Sequence, residues 1–337
     1  MGPYNVGGTV KRALILGVGG QDGSYLADVL LQAGYEVHGL YRRSSGDNLW
    51  RIKHSREQIL LHAGDMADPV SVHRIIADVR PREIYNEADQ DSVGWSRDVP
   101  GYSMDITAAA VARTLESVRQ IDPTIRFFQP CSSMMFGDAA VGEMQDQPQN
   151  EETRLDPQSP YACAKAAAFY LARHYRRQHN MHVSTAIFYN HDSPRRSEHY
   201  LLHKICAGAT RIKLGKQDKL ALGNLDARVD VGYALHYMMA AWRIVQQDEP
   251  DDFVIGTGTA HSVAELCEEA FEQTGVADWQ SRIVLDPQYD FPNRRRVLVA
   301  DCTKAKRVLG WEPEWDGVSE LIELLINHVY DKEALLL

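Results

Sequence analysis

The segment that most narrows the possible folds is Arg12-Ala-Leu-Ile-Leu16, a short apolar run that ends in Gly17-Val-Gly-Gly-Gln-Asp-Gly23. Tyr25, Leu26, Val29, Leu30 and Ala33 then recur at helical spacing up to Gly34, so the stretch reads strand, turn, helix. Gly17, Gly20 and Gly23 stand three residues apart. Glycines at such a turn let the backbone approach a pyrophosphate, whose charge then lies against the free N–H groups of a helix N-terminus. A glycine trio alone also suits an ordinary strand-to-helix turn, so the neighbouring elements must carry the argument.

They repeat the alternation. Tyr35–Tyr41 reads as a second strand, Ile59–Asp65 as a third, Val70–Val79 as a helix and Glu83–Asn86 as a fourth strand. A helical segment over Pro100–Ile121 leads into the strand Ile125–Cys131. Gly137–Pro160 reads as an acidic, turn-rich loop, Tyr161–Gln178 as a long helix and Val183–Tyr189 as a strand. The expected fold class is α/β: a Rossmann-type doubly wound parallel sheet with a smaller mixed α/β C-terminal substrate domain. The Rossmann domain is expected over 11–190 and the substrate domain over 191–337, with a non-contiguous boundary. In the second part the legible elements are a helix at Leu201–Lys213, short strands at Leu220–Gly223 and Asp252–Gly256, and helices from Ser262 and near Gly317–Val329.

The second strand ends in Arg42-Arg43-Ser44-Ser45 rather than in an acid. An acid there accepts the ribose 2′-hydroxyl of NAD, whereas arginine accommodates the 2′-phosphate of NADP, so NADP is expected over NAD. The strand before Ser132 delivers that hydroxyl to the carboxyl edge of the sheet, where open α/β folds bind ligands. Tyr161 and Lys165 are four residues apart on a helix and share a face. The ammonium can lower the phenol's pKa toward neutrality, making Tyr161 a proton acceptor for an alcohol. Ser132, Tyr161 and Lys165 are thus read as one catalytic unit.

A net charge of −10 argues against a broad polyanion-binding surface, so nucleic acid is not an expected partner. The five cysteines lie far apart with no Cys-x-x-Cys pair, which suggests neither a disulfide framework nor a zinc site. No apolar stretch is long enough to span a membrane and the N-terminus lacks an apolar signal core, so a cytoplasmic protein without a membrane partner is expected.

The combination of Gly17-Val-Gly-Gly-Gln-Asp-Gly-Ser-Tyr-Leu26, Tyr161-x-x-x-Lys165 and Lys306-Arg-Val-Leu-Gly-Trp-Glu-Pro313 resembles the extended short-chain dehydrogenase/reductase superfamily. Within it, Arg42–Ser45, Asn190–Arg196, Gly223–Asp226, Glu249–Ile255, His261-Ser-Val263 and Asp301–Lys306 are similar to segments of the GDP-mannose 4,6-dehydratases, in the same order from about residue 11 to 315. The resemblance implies that Gly17, Gly19, Gly20, Gln21, Asp22 and Gly23 hold the pyrophosphate of NADP, Arg42, Arg43 and Ser44 its 2′-phosphate, and Asp65 with Met66 its adenine. Ala88, Gln90, Tyr102, Tyr161, Lys165, His191 and Arg196 fall where the family contacts the rest of the cofactor. Ser133, Met134, Asn190 and Arg228 fall on the substrate side, and a nucleotide-sugar substrate, GDP-linked, is implied. A homodimer or homotetramer is also implied, with Arg43-Ser-Ser near a subunit contact in tetrameric members.

In that family hydride leaves C4 of the sugar, water is lost across C5 and C6, and hydride returns to C6. The family's Ser-Thr-Ser-Glu-Leu-Tyr-Gly reads here Cys131-Ser132-Ser-Met134-Met-Phe-Gly137. Ser132 keeps a hydroxyl, but Met134 replaces the Glu that takes the C5 proton, and a thioether neither gives nor takes one. The expectation is therefore an enzyme that oxidises and reduces C4, an epimerase or ketoreductase. A 4,6-dehydratase with a rearranged acid/base, and a cofactor-binding protein with little turnover, are the alternatives. Glu87, Asp89 and Asp91 stand where the relatives have small or neutral residues. Asp89 or Asp91 is a candidate relocated acid/base, with a solvated or structural role favoured. Val229 and Phe291 replace two arginines that meet the substrate's diphosphate, and Arg228 with Arg294-Arg-Arg296 could compensate.

Overall fold

The structure, a computed structural model, describes residues 10–137, 147–289, 297–315 and 317–335. Phe291 and Arg294–Arg296 lie outside the described residues, as does much of the loop expected between Gly137 and Pro160. The chain forms two compact units. The first takes Met1–Cys131, Ser159–Ala186 and Ala241–Asp252, and the second Ser132–Gln158, Ile187–Ala240 and Phe253–Leu337.

The first unit is built from β1 (Arg12–Leu16), α1 (Gln21–Gln32), β2 (Glu36–Tyr41), β3 (Ile59–Ala63), α2 (Pro69–Val79), β4 (Glu83–Asn86), α3 (Pro100–Met104), α4 (Ala110–Ile121), β5 (Arg126–Ser132), α5 (Pro160–His179) and β6 (Val183–Phe188). The seven-stranded sheet runs β10-β6-β5-β4-β1-β2-β3, where β10 is Asp252–Ile255. The pairings of β1 with β2, β2 with β3, β1 with β4 and β4 with β5 are all parallel. Parallel strands covered on both faces need continuous apolar runs, and that is why Ala13–Leu16 is fully buried without alternation. The chain winds one way through β1, β2 and β3 and returns to β4 on the other side of β1. The register sets Leu16 beside Asn86, so Gly17 and Glu87 leave the sheet together at the crevice where strand order reverses.

Helix α5 starts with Ser159, whose hydroxyl accepts the N–H of Ala162 at 3.1 Å, and with Pro160 in the first turn. Its buried face is rich in small residues, Ala162, Ala164, Ala168 and Ala172, so the helix can pack closely. At the far end of the strands a buried Glu83 carboxylate accepts from the Tyr35 hydroxyl at 3.0 Å, the Tyr85 hydroxyl at 2.8 Å and the Gln246 amide at 3.2 Å. Such satisfaction is what a buried acid requires.

The helix expected over Pro100–Ile121 is not uniform. Between α3 and α4, Asp105–Ala109 widens into a π-helical turn. There Thr107 Oγ1 accepts the Gln90 N–H at 3.2 Å and, one turn earlier, the Ser103 hydroxyl donates to Gln90 Oε1 at 3.0 Å. The turn thus clamps the segment after β4, in keeping with the use of π-turns at functional positions.

The second unit holds β7 (Asn190–Asp192), α6 (Leu201–Lys213), β8 (Leu220–Leu222), β9 (Arg228–Tyr233), the larger part of α7 (Ala234–Gln246), β11 (Ala260–Ser262), α8 (Val263–Gln273), β12 (Ile283–Leu285), α9 (Thr303–Leu309) and α10 (Ser319–Ala334). β9 pairs in parallel with β7 and antiparallel with β11, and β8 pairs with β12. Leu202, Ile205, Leu266, Phe271, Leu321 and Leu325 bring α6, α8 and α10 into one apolar cluster. A reciprocal cap between Ser262 and Glu265 opens α8.

Candidate active site

The nucleotide side of the candidate site lies in the first unit. After β1, Gly17 takes φ +88°, and a Cβ there would meet the Glu87 carbonyl oxygen at 2.6 Å. At Gly23 a Cβ would meet the Gly17 oxygen at 2.4 Å. Only glycine fits this turn, which is tied by Gly17 N–H to the Leu40 carbonyl and Gly20 N–H to the Gly17 carbonyl, each at 3.0 Å. Gly20 caps α1 with no side chain, so backbone N–H groups open the helix. With Gly19, Gln21 and Asp22 beside them, these residues form a cradle that fits the pyrophosphate of a dinucleotide.

Arg42, Arg43 and Ser44 are exposed past the end of β2, and the Arg42 guanidinium donates to the Tyr102 hydroxyl at 2.9 Å. Two residues expected at the cofactor are thus brought together. Asp65 accepts the Ala67 N–H at 2.9 Å, while the Met66 side chain belongs to the apolar core. Ala88 is half-buried beside Gly17, and Gln90 is held by the π-turn.

Tyr161 and Lys165 are both buried on α5, with the ammonium 5.8 Å from the phenol ring centroid. Lys165 Nζ also donates to the Pro130 carbonyl at 3.0 Å and forms an ion pair with Asp89. Burial works against the ammonium, yet Asp89 and then Tyr161 outweigh it and hold Lys165 above the ordinary lysine value. Asp89 is pushed up by burial, against the pull of Lys165, and Asp91 and Asp22 push it further. Glu87 is pushed well up by burial and by Asp22, and its buried Oε1 has no hydrogen-bond partner. Asp89 is therefore no solvated charge: it is the counter-ion of the expected catalytic lysine, a pairing that the sequence reading missed.

The substrate-side residues lie in the second unit. The Ser132 hydroxyl accepts the Met134 N–H at 3.2 Å and caps the short 3₁₀ turn Ser133–Met135. Ser132 and Ser133 are buried and Met134 is half-buried. Gly137 closes the turn with φ +52°, and a Cβ there would collide with the Asp156 carbonyl. The Asn190 amide donates to the Asp230 carbonyl at 3.3 Å, His191 Nδ1 meets the Tyr189 carbonyl at 2.8 Å, and the Arg196 guanidinium stacks 3.5 Å over Tyr200.

The arginine replacements have different fates. Val229 is buried in the apolar cluster of its unit, so the absent guanidinium leaves packed core rather than a gap. Arg228 is exposed, donates to the Ala260 carbonyl at 2.6 Å and lies 3.5 Å from Glu265. Asp230 next to it is buried and accepts from Thr257, Gly258 and Ala300, a backbone clip rather than a free acid.

Among the described residues, no group of three metal-ligating side chains could hold an ion, and no helix is long and apolar enough to cross a membrane. Residues 14–324 match the family model described as GDP-mannose 4,6 dehydratase. The chain is 41% identical over 329 residues to a GDP-mannose 4,6-dehydratase of Sinorhizobium fredii, covering 90% of this chain and 92% of that one. Among solved structures, the UDP-glucose 4-epimerase of Thermus thermophilus in complex with NAD superposes with a TM-score of 0.79 at 23% identity, over 95% of this chain and 99% of the other. RMD from Pseudomonas aeruginosa, complexed with NADPH, superposes at 0.77 and 20% identity, over 96% and 100%. At these identities the two structures establish the Rossmann-type fold alone. The sequence relative carries a dehydratase name, and the expectation of epimerisation rests on Met134.

Proposed function

Because the chain belongs to the GDP-mannose 4,6-dehydratase family, within the extended short-chain dehydrogenase/reductase enzymes that modify sugar nucleotides, we propose that it acts on a GDP-linked hexose by redox chemistry at C4. The cofactor is a nicotinamide dinucleotide, NADP in preference to NAD, because Arg42 and Arg43 follow β2 where NAD would call for an acid. The cradle of Gly17, Gly20 and Gly23 would hold its pyrophosphate, and the bound nicotinamide supplies and recovers the hydride. Tyr161 takes the proton of the C4 hydroxyl on oxidation and returns it on reduction, and the Lys165 ammonium stabilises the phenolate between the two. Ser132 donates to the C4 oxygen.

The observation that carries the net reaction is Met134, the residue whose N–H seals the Ser132 turn. With a thioether in place of the carboxylate, C5 deprotonation loses an effect worth about 10²–10⁴-fold, so the keto sugar is re-reduced as an epimer or a reduced sugar. One observation favours a second reading, dehydration by a relocated acid: the matched relative's dehydratase name, together with the carboxylates that surround Lys165.

Purified protein incubated with GDP-mannose and related sugar nucleotides, with NADP or NADPH, separates the two by product mass. An isomer, or a product with two hydrogens gained or lost, fits C4 redox alone, whereas loss of water by the unaltered protein would refute it. Met134→Glu should raise dehydration at least tenfold if that residue is what is missing.

A further inference from the structure

Lys165 spends its ammonium on a carboxylate. Asp89 forms the ion pair and the Pro130 carbonyl accepts a second hydrogen bond at 3.0 Å, while the Tyr161 ring centroid lies 5.8 Å away. Asp89 is not loosely placed. Its segment is anchored on the far side by Gln90, gripped by Thr107 and Ser103, and on the near side by Glu87, whose backbone leaves no room for a Cβ at Gly17.

We propose that Asp89 is a positioning residue that fixes Lys165 and sets the pH at which Tyr161 exchanges its proton, keeping the phenol protonated through neutral pH and favouring ketone reduction over alcohol oxidation. This rests on the reading of Tyr161 as the group that exchanges a proton with the C4 oxygen.

The physical reason is cancellation of charge. At an effective dielectric near 20, a lone ammonium at the observed separation would lower the phenol's titration midpoint by about two pH units. A carboxylate in contact with that ammonium turns a charge into a dipole and takes back much of the effect. The other groups facing the pair do not restore it. Asp22 from α1, together with Glu87 and Asp91 from the segment after β4, adds negative charge or neutral carboxyl, and the Cys131 thiol from β5 is kept neutral by burial, which pushes it up to about 12.

A protonated Tyr161 is an acid. In the reductive direction C4 of the keto sugar gains a hydride, with its electron pair, from the reduced nicotinamide, and the C4 oxygen gains the Tyr161 proton. The phenolate is then reprotonated from water.

The test needs no turnover. Ultraviolet titration of the full chain, with Tyr161→Phe subtracted, isolates formation of that one phenolate, and the same subtraction is made in an Asp89→Asn background. The midpoint should fall by about one pH unit in Asp89→Asn, and Asp89→Glu should return it toward the parent. Asp89→Ala, the small residue of the relatives' pattern, serves if Asp89→Asn does not fold, with the same shift expected. A midpoint that stays put or rises in a folded variant overturns the proposal. Hydride exchange at C4 that survives in Tyr161→Phe would instead sink the reading of the reaction, which the titration does not measure.

Discussion

Removing Lys165 should damage the fold far more than removing Lys165 and Asp89 together. The two side chains are 4% and 18% exposed, so their ion pair is an interior one. Lys165→Met leaves the Asp89 carboxylate with Asp22, Glu87 and Asp91 for company, and loss of one partner of a buried pair costs about 3–5 kcal/mol. The acid can escape by taking up a proton, which sets a ceiling. From an ordinary value of 3.8, protonation costs about 4 kcal/mol at pH 7 and under about 2 kcal/mol at pH 5. The variant's folded carboxyl sits above its unfolded value, so its stability deficit is absent in acid and grows as pH rises. Lys165→Met should therefore lose about 3–4 kcal/mol at pH 7 and about 2 kcal/mol or less at pH 5. Lys165→Met with Asp89→Leu should lose only about 1 kcal/mol, most of it the orphaned Pro130 carbonyl. Urea unfolding of the four proteins at both pH values gives the coupling energy directly. Penalties that simply add, with a coupling under about 0.5 kcal/mol, would refute the reasoning, because that is how an exposed pair behaves.

Two further outcomes follow from single positions. Gly17→Ala must move backbone, since its Cβ would sit 2.6 Å from the Glu87 oxygen and 2.9 Å from Ala88 Cα at a positive φ. It should cost about 1–3 kcal/mol and weaken NADPH binding at least about tenfold in a fluorescence titration, and unchanged binding would show that the turn is not the pyrophosphate cradle. His203 is buried with both ring nitrogens unpartnered, and burial holds it at about 4, with His328 and Lys332 pushing the same way and Glu198 opposing. Because its folded value lies below the unfolded 6.5, its stabilising neutrality is intact above that pH and is lost as pH falls toward 4, a loss of about 3 kcal/mol. His203→Leu should flatten that part of the stability profile, and parallel profiles for the two proteins would contradict the assignment.

What the sequence made legible follows from which interactions are local. Ala13–Leu16 shows itself as a strand because both of its faces are covered, and Tyr161 with Lys165 shows itself because four residues along a helix is a fixed geometry. Helix α7 gives no such signal. Tyr237, Met238, Ala240, Ala241, Ile244 and Val245 are all fully buried, so no polar stripe marks its period, and β9 just before it is equally unmarked. The π-turn is also silent, because nothing in Asp105–Ala109 breaks a helix. It exists to meet Gln90, a partner from another element.

The same distinction explains the site. Glu87, Asp89 and Asp91 alternate, and an extended segment carries alternate residues to one side. That spacing was the available signal that these acids share a target, but which target depends on how the segment after β4 lies against α5. Val229 is the converse case. A valine where relatives carry arginine reads as a missing contact, whereas its burial in the cluster of α6, α8 and α10 makes it a gained one. Reintroducing a guanidinium there would put a charge into packed hydrocarbon. The chain's departures from its family are thus unequal: Met134 removes a reactive group from a half-buried turn, Val229 exchanges a charge for core packing, and Asp89 adds a charge whose partner is the catalytic lysine itself. Only the last acts on the redox half-reaction that the family shares, so it is at Asp89 that the chemistry of this chain should diverge even where its substrate does not.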